Sequence, residues 1–231
     1  MSSLITSPAP TPVPTDGTRL DRSRSWAAAG VVAALAGVAS VTVVSGHLDA
    51  VYGGGTDPAV IVGRMAEQKF WLIGHHVANL VAALLLLVVA AGLTRRLRSR
   101  LPEGSLLPAV AASGLGLVSV AGLLGTGLTT ELLFALMHPE VVVPAPLVFM
   151  GYWTGTIAWL WVGAGVTGVC LALAAFRHRA VPVWIGVVSL VLGGLTLLLG
   201  LSPLQYMAGM TGPVWLLVVS LGFLLADGRR R

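Results

Sequence analysis

The sequence predicts an all-α fold: a polytopic membrane bundle of six transmembrane helices, both termini cytoplasmic, with one amphipathic helix on the outer surface. Three observations carry that expectation. Hydrophobic residues make up 56% of the 231 residues and charged residues only 10%, with a mean hydropathy of +0.89. A soluble domain of this length carries roughly 25% charged residues to wet its surface. Second, six apolar runs are each long enough to cross a hydrocarbon core of roughly 30 Å. Third, the arginines fall in clusters on alternate sides of those runs. Too little chain remains for a separate soluble catalytic domain.

Residues 1–25 are rich in Ser, Thr and Pro and read as a disordered cytoplasmic tail. The first span, Trp26–Gly46, follows Arg19, Arg22 and Arg24. At 21 residues it exceeds the 7–15 of a signal-peptide core, so it reads as a retained helix. The segment HLDAVYGGG after it reads as a flexible turn. Asp57 as N-cap and Pro58 at the first helical position then open a short helix. It sets Arg64, Glu67 and Gln68 apart from Ile61, Met65, Ala66 and Phe70, the pattern of a helix lying on the membrane surface.

The remaining spans are Trp71–Leu93, Leu106–Leu128, Tyr152–Phe176, Pro182–Leu201 and Pro203–Ala226, followed by a basic tail over 227–231. Twelve basic residues flank the spans on one side, against Arg64 and Lys69 on the other. Arginine retention in short cytoplasmic loops orients bacterial helices, so the termini are expected inside a bacterial cytoplasmic membrane. Of the 14 basic residues only Lys69 is lysine, a bias that GC-rich bacterial codons produce. Tyr52, Phe70, Trp71, Phe149, Tyr152 and Trp153 fall where an outer aromatic belt belongs, and Trp26, Phe176 and Trp184 where an inner one does. The small-residue pairs Ala33/Gly37, Gly151/Gly155, Ala164/Gly168 and Ser189/Gly193 suit close helix approach, within a monomer or in a homo-oligomer.

Polar residues inside a membrane are costly and mark candidate sites. His75 and Asn79 are four apart on one helix face, which Gln68 and Trp71 extend outward. An amide at that depth needs a partner helix or a water-filled cavity. Glu131 emerges at the outer interface if the third span begins at Leu106. Pro213 denies a hydrogen bond to the Gly209 carbonyl, and a helix kinked there could bind a ligand through freed backbone groups. The ligand-binding candidates are therefore His75, Asn79, Gln68, Glu131, Gly209 and Pro213. His47, Asp49, Glu67, His76, His138 and Glu140 also map to the outer half, but without metal-ligand spacing, and no metal site or cofactor is expected. The single cysteine, Cys170, excludes an internal disulfide. The expected partners are membrane lipids and a small or lipophilic ligand, not nucleic acid. An outer-face membrane enzyme and an accessory or scaffold subunit are the alternatives.

The segments FRHRAVPVWIGVVSLVLGGLTLLLG and GPVWLLVVSLGFLL carry a basic loop, a Pro and Trp opening a span, then Trp-Leu and Gly-Phe in the last span. Those positions are Arg177, Arg179, Pro182, Trp184, Trp215, Leu216, Gly222 and Phe223. In this the chain resembles a family of six- to seven-pass bacterial membrane proteins known as a domain of unknown function. TDPAVIVGRMAEQ is similar to that family's outer interfacial helix, and the resemblance extends over residues 26–226. It implies the fold and topology above, and no activity.

Overall fold

A chain this apolar must satisfy its backbone groups within its own segments, which in hydrocarbon leaves the helix. The computed structural model describes residues 24–53, 55–157 and 159–226. The tails expected over 1–25 and 227–231 fall outside these residues, except for Arg24 and Ser25. Nine α-helices run in order among the described residues: α1 Ser25–Tyr52, α2 Pro58–Glu67, α3 Lys69–Arg98, α4 Leu107–Met137, α5 Pro144–Ile157, α6 Val162–His178, α7 Val183–Val188, α8 Gly194–Leu201 and α9 Ala208–Ala226. A π-helical turn, Ser189–Gly193, joins α7 to α8. Six stretches are long and apolar enough to cross a membrane: α1, α3, α4, α5 with α6, α7 through α8, and the stretch ending in α9.

The helices pack as a closed ring, α1 on α3, α3 on α4, α4 on α6, α6 on the α7–α8 span, and α9 back on α1. The fourth span is the most buried of the six, because α5 wedges between α1 and α4 before α6 continues against α4. Hydroxyls tie neighbouring helices through backbone carbonyls: Ser119 Oγ donates to Ala83 at 2.7 Å and Thr167 Oγ1 to Ala111 at 2.8 Å. Such interhelical bonds supply specificity where lipid offers no hydrophobic drive for association. The four small-residue pairs read from the sequence are spent here, since all eight residues are buried within the bundle.

Several expectations need correcting. His47–Tyr52 is not a turn but the last two turns of α1. α4 runs nine residues past Leu128, carrying Glu131 within the helix. The fourth span is two helices rather than one. The sixth begins at Ala208, after a bend at Ser202–Leu204 and a 3₁₀ turn at Gln205–Met207, not at Pro203. Trp26, at the start of α1, turns inward rather than outward: its ring lies on Gly92 of α3 and 5.2 Å from the ring of Phe223.

The helix over Pro58–Glu67 forms as its cap predicts, with Asp57 Oδ1 accepting from the Ala59 N–H at 2.9 Å. Its apolar face meets protein rather than lipid. Ile61, Val62 and Met65 are buried with Val51 of α1, Leu132 and Leu136 of α4, and Leu147 and Val148 of α5. α2 therefore caps this end of the bundle, pinned by Arg64 Nη1 donating to the Gly53 carbonyl at 2.8 Å.

The opposite end gathers the start of α1 and the ends of α3 and α9. Arg96 stands 4.8 Å over the Phe223 ring there, beside Trp26. With Cys170 replaced by Ala, single cysteines at Thr56 and Ala145 are expected to react with an impermeant thiol reagent on intact cells. One at Ser99 is expected to stay protected, and the reverse pattern would invert the topology.

Candidate functional site

The α3 face picked out by spacing is turned inward. His75 and Asn79 are 1% and 8% exposed. At 1.5 Å rise per residue they lie about 9 Å and about 15 Å from the start of α3. α1 answers with Ser40 and His47, seven apart and so on one face. His75 Nδ1 sits 3.0 Å from Ser40 Oγ and 3.2 Å from the Ser40 carbonyl oxygen, and with its proton on Nδ1 the ring donates to that carbonyl. One turn deeper, Asn79 Nδ2 donates to the Gly122 carbonyl of α4 at 3.0 Å. Gln68, half-buried, forms the one-residue joint between α2 and α3, its side chain directed toward Gly46 of α1. The seam between α1 and α3 is thus polar from Gln68 and His47 down to Asn79.

Several buried atoms beside this seam have no hydrogen-bond partner among the described residues. His47 is fully buried; its Nε2 lies 3.2 Å from the Gly151 carbonyl of α5, leaving Nδ1 unpaired. Thr154 Oγ1, three residues along the same α5 face, and Trp159 Nε1 are unpaired as well, as is His76 Nδ1. Buried polar groups are nearly always satisfied, so such a concentration marks a place where a further donor or acceptor fits.

The break in the fourth span adjoins it. α5 ends at Ile157 and α6 starts at Val162. The Trp159 N–H donates to the Thr156 carbonyl and the Leu160 N–H to Ile157, both at 3.1 Å. Two tryptophans of the break are seated on glycines. A side chain at Gly209 would meet Trp159, and one at Gly37 or Gly212 would meet Trp161, whose ring also neighbours Pro213 near Gly37. Pro213 lies inside α9, four residues after Gly209. The backbone interruption lies in the fourth span, and the sixth supplies the seats. Beneath the break a water-sized crevice is walled by Asn79, Gly122, Val118, Ile157, Leu160 and Trp161. Asn79 brings a carboxamide to it, and the rest of that wall is aliphatic, aromatic or glycine.

The other candidates lie elsewhere. Glu131 is exposed on the outward side of α4. His138 and Glu140 form an exposed pair, 3.5 Å apart, beyond the end of α4. Asp49 and Glu67 are also exposed. Among the described residues no three His, Cys, Asp or Glu side chains come together as a metal site. The structure thus brings together His75, Asn79, Gln68 and His47, and leaves Glu131 apart. Ser40, Thr154, Trp159 and Trp161 escaped the sequence reading. Ser40 could have been found from its seven-residue spacing to His47, but nothing local flags the other three.

The seam and crevice can hold a neutral group through hydrogen bonds. A charged one would find no counter-ion in the crevice wall, which is costly at this depth. No family model, no curated protein and no solved structure matches the chain.

Proposed function

We propose that the protein binds, or passes, a small or lipophilic molecule at the crevice beneath the break of the fourth span, in the cytoplasmic membrane of a bacterium. The observation that carries this reading is that three features adjoin along the inner faces of α1, α3 and the fourth span. They are a helix break, a crevice reaching the Asn79 carboxamide, and buried polar atoms left without partners nearby. Pockets that bind small molecules combine apolar walls with a few placed polar groups, and this wall has that composition; the crevice itself is water-sized, so a larger guest enters only as α5 and α6 part at the break. The His47–His75 seam leads from Asn79 toward the end capped by α2, and so extends the polar surface beyond the crevice. An outer-face enzyme has less support, because the exposed Glu131 and His138 stand apart from the buried histidines.

Native mass spectrometry of protein released directly from its membrane tests the reading. The wild type is expected to carry a bound small molecule that Asn79→Leu loses, while Leu84→Ala, on an exposed face of α3, keeps it. A wild type that emerges empty, or an Asn79→Leu variant that retains the molecule, would overturn it. Asn79→Leu is also expected to cost about 1–2 kcal/mol of stability, since it removes the interhelical bond to the Gly122 carbonyl.

A further inference from the structure

The corner between α6 and α7 contains the one described non-glycine residue with positive φ. Arg179 stands at φ 51°, ψ 24° as the C-terminal cap of α6. Its N–H donates to the Ala175 carbonyl at 3.1 Å, and the next N–H, of Ala180, reaches back to Ala174 at 3.0 Å. This left-handed closure is the one that glycine usually supplies, because a Cβ is strained there. The chain has 29 glycines, yet an arginine occupies the position.

The corner leaves that side chain exposed. Ala180 and Val181 turn into the core at 3% and 2% exposure, while Arg177, His178 and Arg179 remain exposed. Neither Arg177 nor Arg179 has a carboxylate partner among the described residues. Immediately beside them the surface is apolar and aromatic: Phe176, Val183 and Trp184 are each about half exposed. The Trp184 ring rests on Gly222 of α9, so the patch spans two elements of the bundle. Two exposed guanidinium groups without a carboxylate partner among the described residues, next in sequence to an exposed aromatic surface, match one chemistry, a phosphate headgroup with its acyl chains lying on that surface.

We propose that Arg177 and Arg179 bind the phosphodiester of an anionic phospholipid at the α6–α7 corner, its chains resting against Phe176 and Trp184. The strain at Arg179 is retained because a glycine there would close the helix equally well but leave the headgroup with one cation. This site is independent of the crevice at Asn79 and lies at the basic end of the bundle.

The test exploits a variant that keeps the fold. Arg179→Gly preserves the cap, so its melting temperature in phosphatidylcholine nanodiscs is expected to match or exceed that of the wild type. Its retention of phosphatidylglycerol in native mass spectrometry is expected to fall about fivefold, as is that of Arg177→Gln. Phosphatidylcholine should be retained weakly by all three proteins. Soluble glycerol phosphate should not displace the bound lipid, since it lacks the chains that the aromatic surface holds. Undiminished phosphatidylglycerol retention by Arg179→Gly would overturn the proposal. So would equal retention of phosphatidylcholine by the wild type, or full displacement by glycerol phosphate.

Discussion

Replacing Gly163 with valine is expected to destabilise the bundle by about 3 kcal/mol or more, one of the larger effects available from a single substitution. α4 and α6 cross with their backbones in contact at this point. A Cβ at Gly163 would overlap the Gly114 carbonyl oxygen, and one at Gly114 would overlap the Gly163 carbonyl oxygen. Neither neighbour is a flexible side chain that could swing aside, so the two helices must separate. Separation also stretches the Thr167 hydroxyl away from the Ala111 carbonyl, a bond of 2.8 Å. Thermal unfolding in detergent measures the loss. Gly116→Ala, two residues from Gly114, provides the contrast, because a Cβ there meets nothing within 4 Å. It should be neutral or stabilising by up to about 1 kcal/mol through helix propensity. Equal tolerance of both substitutions would show that α4 and α6 do not cross this closely.

Trp161→Ala is expected to act in two directions at once. The ring is 5% exposed and fills the space between α1 and α9 that Gly37 and Gly212 leave for it. Deleting it should cost about 3–5 kcal/mol, the usual range for emptying a buried tryptophan site. The same ring walls the crevice beside Asn79, so its removal enlarges that crevice with apolar space. A small neutral probe such as benzyl alcohol should therefore raise the melting temperature of Trp161→Ala more than that of the wild type, by preferential binding to the folded state. A stability loss without this gain in ligand response would place the cavity elsewhere, away from Asn79.

The spans were legible because a membrane-crossing helix is a matter of composition and length, and both can be counted. The cap of α2 was legible because Asp57 and Pro58 act locally. The inward turn of His75 and Asn79 followed from helical spacing. What escaped the sequence depends on distant partners. Residues 154–162 contain no proline to announce a break; the interruption is accommodated by glycines at positions 37, 209 and 212, on helices far away in the chain. Pro213 drew attention to the sixth span, where its ring instead packs close to Gly37 and Trp161. His47 looked like one member of a scattered outer set until α5 brought the Gly151 carbonyl to it. Trp26 sits where an interfacial residue belongs, and only the absence of a side chain at Gly92, far along the sequence, turns it inward.

The cap formed by α2 also bears on how the chain is made. Ile61, Val62 and Met65 find their cover partly on Leu132, Leu136, Leu147 and Val148, which leave the ribosome 67 to 87 residues later. At ~5–20 residues per second the wait is about 3–17 s. For that interval the half-made chain has Val51 of α1 and the headgroup region to receive the apolar side of α2. The amphipathic pattern then serves twice, first as a temporary float on the lipid surface and afterwards as the lid that the late-arriving α5 draws down into place.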